Sequence, residues 1–193
     1  MTLGEMARTQ ILLGDRPGAA ESLRRAAELT KRERVVSPWH ESSPLVGQLL
    51  FDVTALEAAA TGDRSRWRAL RRAGIRSARR AIGTAAKVAK ERIETYRLVG
   101  RLWWVLGNRS RAFKWWTKAI AEATRMGARP ELARTHCDIG RRIGASVVAD
   151  ADGATHLNHG RRLLIDLDLE WDLRQLEALP PAVPAVEPES AVA

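Results

Sequence analysis

Between Glu94 and Gly140, large apolar and very small residues recur at the spacings of three, four and seven that keep side chains on one face of a helix. Tyr96, Val99, Gly100 and Trp103 share one side of a first predicted helix. Gly107-Asn108 breaks it, and Ala112, Trp116 and Ala119 share one side of a second. Gly100 and Ala112 allow two backbones to approach, and the indoles of Trp103 and Trp116 fill the space beside them. The pattern builds a surface by packing helices; it does not assemble a reaction centre.

The break recurs as Gly14-Asp15-Arg16, Gly62-Asp63-Arg64 and Gly107-Asn108-Arg109. In each, a glycine can end one helix and a short polar side chain can cap the next. The repetition predicts a series of helical hairpins at about 1–34, 45–82, 89–126 and 131–167, followed by a short capping helix at 170–179. Leu3, Ala7, Ala19, Leu23 and Ala26 are the packing positions of the first hairpin. Residues 35–44, bracketed by Pro38 and Pro44, read as a connector, and 146–153 as a longer joint. The expected fold is therefore one all-α domain over 1–179. The Pro- and Ala-rich segment 180–193 reads as a disordered tail.

The segment Arg64–Ile82 divides cleanly into faces. Trp67, Leu70, Gly74, Ala78 and Ala81 fall on one side, and Arg68, Arg72, Arg76, Arg79 and Arg80 roughly opposite. The first side is expected to be buried.

Composition narrows the function classes. The chain has 193 residues, 45% of them hydrophobic, enough for a sizeable core. A single cysteine, Cys137, excludes an internal disulfide framework and any multi-cysteine zinc site. The net charge of +9 favours an acidic partner: nucleic acid, acidic lipid or an acidic protein segment. Much of this basicity is arginine in an alanine-rich background, which composition bias alone can produce. No apolar run approaches the ~20 residues of a membrane helix, and the N-terminal residues lack a secretory pattern. The expected setting is cytoplasmic, without a membrane partner.

Tyr96, Val99, Gly100, Trp103, Gly107, Ala112, Trp116 and Ala119 resemble the tetratricopeptide repeat at that family's offsets. Gly140 repeats the role of Gly100, while the expected proline near Thr124 is displaced to Pro130. The second hairpin is degenerate, with Trp67 in place of alanine. A narrower resemblance covers Gly100–Trp104, Lys114–Trp116, Gly127–Thr135 and Leu167–Leu173. These runs are similar to the C-terminal helical repeats of large bacterial signalling ATPases, including those fused to nucleotide-cyclase or kinase domains. The resemblance implies an α-solenoid of about four hairpins. It also implies a concave groove lined by Glu94, Arg97, Arg101 and Trp104 in the third unit, by Arg134, Cys137 and Arg141 in the fourth, and more weakly by Arg8 in the first.

A protein-interaction or regulatory module follows as the expected role. The arginines would take an acidic or carboxylate-ended peptide through paired hydrogen bonds, and Trp104 would supply an apolar seat. The competing expectation is ordinary solvated charge, with Trp104 covered by a neighbouring helix. A nucleic-acid adaptor using the Arg64–Arg80 face is one alternative function, and a small-ligand sensor is another. Exposed tryptophans could also mediate self-association.

Signals for chemistry are sparse. His156 and His159 lie one helical turn apart near Asp150 and Asp152, a weak metal pattern. His136 matches Tyr96 and reads as half-buried packing, and Cys137 beside it points about 100° away. There is no phosphate-binding Gly-rich loop and no nucleophile elbow in the sequence. No enzyme activity, cofactor or metal is expected.

Overall fold

The computed structural model describes residues 2–33, 37–144, 147–148 and 151–178. The expected tail 180–193, most of the connector's first three residues and much of the joint after Gly144 lie outside them. Among the described residues the chain is helical, apart from a two-residue antiparallel ladder of Val147–Val148 with Ala151–Asp152. The helices are α1 Leu3–Leu12, α2 Arg16–Arg32, α3 Pro38–Thr61, α4 Trp67–Ala85, α5 Arg92–Val105, α6 Arg109–Met126, α7 Arg129–Ile143, α8 Gly153–Asp166 and α9 Glu170–Ala178. A 3-10 turn at Ala89–Glu91 leads into α5. The chain forms two compact units, 1–98 and 99–193, divided within α5.

Two of the three sequence joints have the expected construction. Gly14 and Gly107 adopt left-handed φ of 81° and 78°. The carboxylate of Asp15 accepts the Gly18 N–H, and Asn108 accepts the Arg111 N–H. The joint at Gly62 differs. The Asp63 carboxylate accepts both the backbone N–H and the hydroxyl of Ser65, so it holds a turn instead of capping a helix. Helix α4 starts only at Trp67, without a side-chain cap.

In the first unit α3 is the central helix. It packs against α1, α2 and α4, and buries Val46, Leu49, Leu50, Val53 and Leu56. It begins at Pro38, not at 45, with Ser37 as its cap and Pro44 inside it. Proline suits the first helical position. Pro44 removes only one bond, near the exposed N-terminal end, and α1 crosses there: a methyl on Gly4 would sit 2.3 Å from the Pro44 nitrogen and the Ser43 carbonyl carbon. Tertiary contact thus overrides the local breaker. Ala7, Ala19 and Leu23 form the seam of α1 with α2, packed by Ile11 and Phe51, while Leu3 is only half-buried. Helix α4 buries Gly74, Ser77, Ala78, Ala81 and Ala85 and turns its arginines outward, as its faces require. Trp67, expected in the core, is half-buried at the start of α4, beneath the Arg64 guanidinium.

In the second unit the core joins Trp104, Ala112, Trp116, Ile139 and Ile143. The Trp104 and Trp116 rings lie 5.7 Å apart, and Phe113 meets both edge-on. Trp103 packs on this cluster from its edge, with Arg111 over its ring at 4.6 Å. The adjacent tryptophans therefore exchange the roles expected of them. The wheel of one hairpin identifies only the side of α5 that meets α6; α7 covers the next side through Ile139 and Ile143 and buries Trp104. Tyr96, in the first unit, is half-buried, whereas Val99, Ala112 and Ala119 are buried.

Helices α7 and α8 meet along glycines. A methyl on Gly140 would lie 2.6 Å from the Leu157 nitrogen and 2.7 Å from the Gly153 oxygen, and one on Gly160 would meet the Cys137 Sγ at 2.6 Å. Helix α9 closes this pair with Leu173 and Leu176 against Ala133, Cys137 and Leu164.

Trp116 is fully buried and Trp103 is not. Trp116→Ala is therefore expected to lower the unfolding free energy by about 3–5 kcal/mol, and Trp103→Ala by well under half of that. Urea denaturation of the two variants checks this; equal losses would contradict the assigned roles.

Candidate functional site

The residues expected to line a groove separate into three environments. In the first unit, Arg8 of α1 reaches Glu91 at 2.9 Å and Glu94 at 2.6 Å, and Arg97 reaches Glu94 at 3.6 Å. Burial works against the Arg8 charge, but Glu94 and Glu91 outweigh it and hold its guanidinium above its ordinary value. Glu91 moves up instead, because it is buried and shares one cation with a second carboxylate. The two shifts are consistent: the guanidinium sees two anions, while each anion sees a rival. Arg8, Glu94 and Arg97 thus tie α1 to the start of α5, an internal role.

In the second unit, Arg134 makes a two-pronged pair with Asp172 of α9, both bonds at 2.8 Å. Cys137 is buried against Gly160, and Trp104 is 3% exposed. Neither lines an open surface, so Trp104 is not an available apolar seat. Arg101 of α5 and Arg141 of α7 are both half-buried and close enough to repel each other. Burial first, then Arg142 and Arg101, hold the Arg141 guanidinium below its ordinary value, against the pull of Asp138 and Cys137. Arg142 bonds the Asp138 carboxylate at 2.9 Å. Like charges converging from two helices form a field that favours an anion.

Two further features lie in the first unit. An open groove of about 440 Å³ has Phe51, Ala55, Ala58, Ala59 and Leu70 as its apolar lining and Arg16, Asp63 and Arg66 as its polar lining. Asp52 is buried on α3, where burial pushes its carboxyl up against the hydrogen bonds of Ser77 and Gln48.

Sequence reasoning placed His156 and His159 near one another but left His136 apart. The structure brings all three together. His136 Nδ1 lies 2.9 Å from His156 Nδ1, the two rings are stacked at 4.9 Å, and His159 meets His136 edge-on at 4.4 Å. The bond requires one ring to donate Nδ1–H and the other to accept, so it fails when both are charged. No spacing along one helix signals this contact, because it is made across the α7–α8 pairing. Among the described residues, no group of three His, Cys, Asp or Glu side chains is placed to hold a metal ion. Among the same residues no helix is long and apolar enough to cross a membrane.

Burial, with His159 and His156 nearby, holds the His136 imidazole down to about 4; burial and His159 lower His156, against Asp152 at the start of α8. Among the described residues no charge from α6 or α9 acts on either ring. A histidine whose pKa falls on folding contributes stability that is complete above its ordinary value near 6.5. That stability is lost as pH falls towards 4, because the unfolded chain binds the proton first. The second unit is therefore expected to lose on the order of 1–2 kcal/mol between pH 7 and pH 4.5, after allowing for solvent reaching the ring. His136→Gln should remove that histidine's share of the dependence. Denaturation of both proteins across this range checks it; parallel curves would contradict the assignment. Helices packed in antiparallel pairs are compatible with a helical repeat domain, and neither a family model, nor a curated protein, nor a solved structure matches the chain.

Proposed function

We propose that this chain is a non-catalytic interaction module of the tetratricopeptide type. In this reading it is a cytoplasmic α-solenoid that takes an acidic or carboxylate-ended peptide between the first helices of consecutive hairpins. The partner is a protein of a bacterial signalling system built on an ATPase, cyclase or kinase, and binding relays the partner's presence to that enzyme.

One observation carries the reading: Arg101 and Arg141, from α5 and α7, are half-buried within each other's field, beside the Arg142–Asp138 pair. Holding like charges together in a half-buried setting costs stability, and a bound carboxylate relieves that cost. Guanidinium groups suit the task because each can make two parallel hydrogen bonds to one carboxylate. The contact set narrows accordingly. Arg134 serves Asp172, Arg97 and Arg8 serve Glu94, and Trp104 serves the core.

The test is titration of a fluorescein-labelled octaglutamate peptide by anisotropy. Arg101→Ala with Arg141→Ala is expected to weaken binding at least tenfold, equivalent to ~1.4 kcal/mol. The helical circular-dichroism signal should persist in the double variant. Unchanged affinity in the double variant would refute the assignment.

A further inference from the structure

The positive charge of the chain is not spread over it. From Arg64 to Lys90 there are eight arginines, two lysines and no carboxylate, a net charge of +10. The whole chain carries +9, so everything outside this stretch is −1. Composition bias would enrich arginine everywhere; it does not explain a balanced chain with one uncompensated segment.

Structure concentrates the charge further. Arg68, Arg71, Arg72, Arg76, Arg79 and Arg80 are all exposed on α4, whose opposite face of Gly74, Ser77, Ala78, Ala81 and Ala85 is buried. The repeats Arg68–Arg72–Arg76–Arg80 place like charges at successive four-residue steps, an arrangement that weakens an isolated helix. The first turn of α4 has no acidic residue and no side-chain cap, and Arg64, Arg66 and Arg68 crowd the positive end of the helix dipole. Asp52 attracts Arg76 and Asp63 attracts Arg66, but two carboxylates leave most of this charge unbalanced, and a polyanion would stabilise it.

The face also discriminates between polyanions. Protein interfaces are built round buried aromatic or aliphatic anchors. None of the large hydrophobic residues exposed among the described residues belongs to α4: they are Leu12, Leu13, Leu29, Trp39, Met126, Ile165 and Trp171. Nor does α4 carry the Asn or Gln side chains that read adenine edges. We propose that the arginine face of α4 binds the sugar–phosphate backbone of nucleic acid without reading its sequence. From Arg68 to Arg80 the stripe runs about 18 Å, enough to reach about five phosphates of one duplex strand. This site lies in the first unit and is independent of the Arg101–Arg141 reading.

The full chain is titrated with a labelled 20-base-pair duplex between 50 and 300 mM NaCl. Log affinity is expected to fall linearly with log salt, with a slope near −4. Arg72→Gln, Arg76→Gln and Arg80→Gln together should weaken binding at 50 mM at least tenfold and flatten the slope by about one for each arginine lost. The same three positions as lysine should keep the slope, and the helical circular-dichroism signal should persist in both variants. Two unrelated duplex sequences should bind within twofold of each other. The proposal is overturned by absent binding at 50 mM salt, by salt-insensitive binding, or by a glutamine variant that binds like the parent. A twenty-residue polyglutamate that binds the Arg101→Ala, Arg141→Ala protein as tightly as the duplex does overturns it in favour of an acidic protein. That variant leaves α4 intact, so polyglutamate capture by the Arg101–Arg141 pair stays out of the comparison.

Discussion

The architecture depends on a missing carbon atom at a few glycines. Where Gly4 crosses Ser43-Pro44, and where Gly140 and Gly160 face α8 and α7, the neighbouring backbone lies where a Cβ would stand. At Gly100 the obstacle is the Trp116 indole, whose Nε1 would be 2.2 Å from an added methyl. Interiors pack at the density of crystals, so contacts this close leave little room for the helices to slide. Helix register within each pair follows from them, and with it the direction in which every charged side chain leaves the surface.

That packing sorts the charges by consequence. Where α1 meets the start of α5, cations and carboxylates interleave, and Arg8 holds the buried Glu91 and the half-buried Glu94 in place. At α9, Arg134 and Asp172 fasten the closing helix. These pairs fasten one helix to another within each unit, and their charges are already engaged. The Arg101–Arg141 convergence and the α4 stripe differ in balance, since there cations outnumber the nearby carboxylates, Asp138 in the one and Asp52 and Asp63 in the other. Repulsion that folding tolerates is the physical mark shared by both proposed contact surfaces.

The sequence made the helices, their faces and two of three joints readable, because those depend on neighbours within a few residues. The Gly14 and Gly107 turns and the buried stripe of α4 are local facts of this kind. Pro44 was misleading because only the crossing of α1 explains how it is accommodated in a helix. Trp104 was misplaced because a helical wheel describes one helix and one partner, while α5 is covered from two sides. The histidine cluster was missed for the same reason. His136 meets His156 through a hairpin whose bend lies between them, and spacing along one helix carries no trace of that contact.

The most direct measurement compares two single methyl additions. Gly140 lies against the α8 backbone, whereas Gly83, also helical, has open space where its Cβ would be. Urea denaturation of Gly140→Ala should show a loss of about 1–3 kcal/mol, and Gly83→Ala a gain of about 0.5–1 kcal/mol from helix propensity alone. A Gly140→Ala protein as stable as the parent, or more so, would contradict the account of how these helices are held.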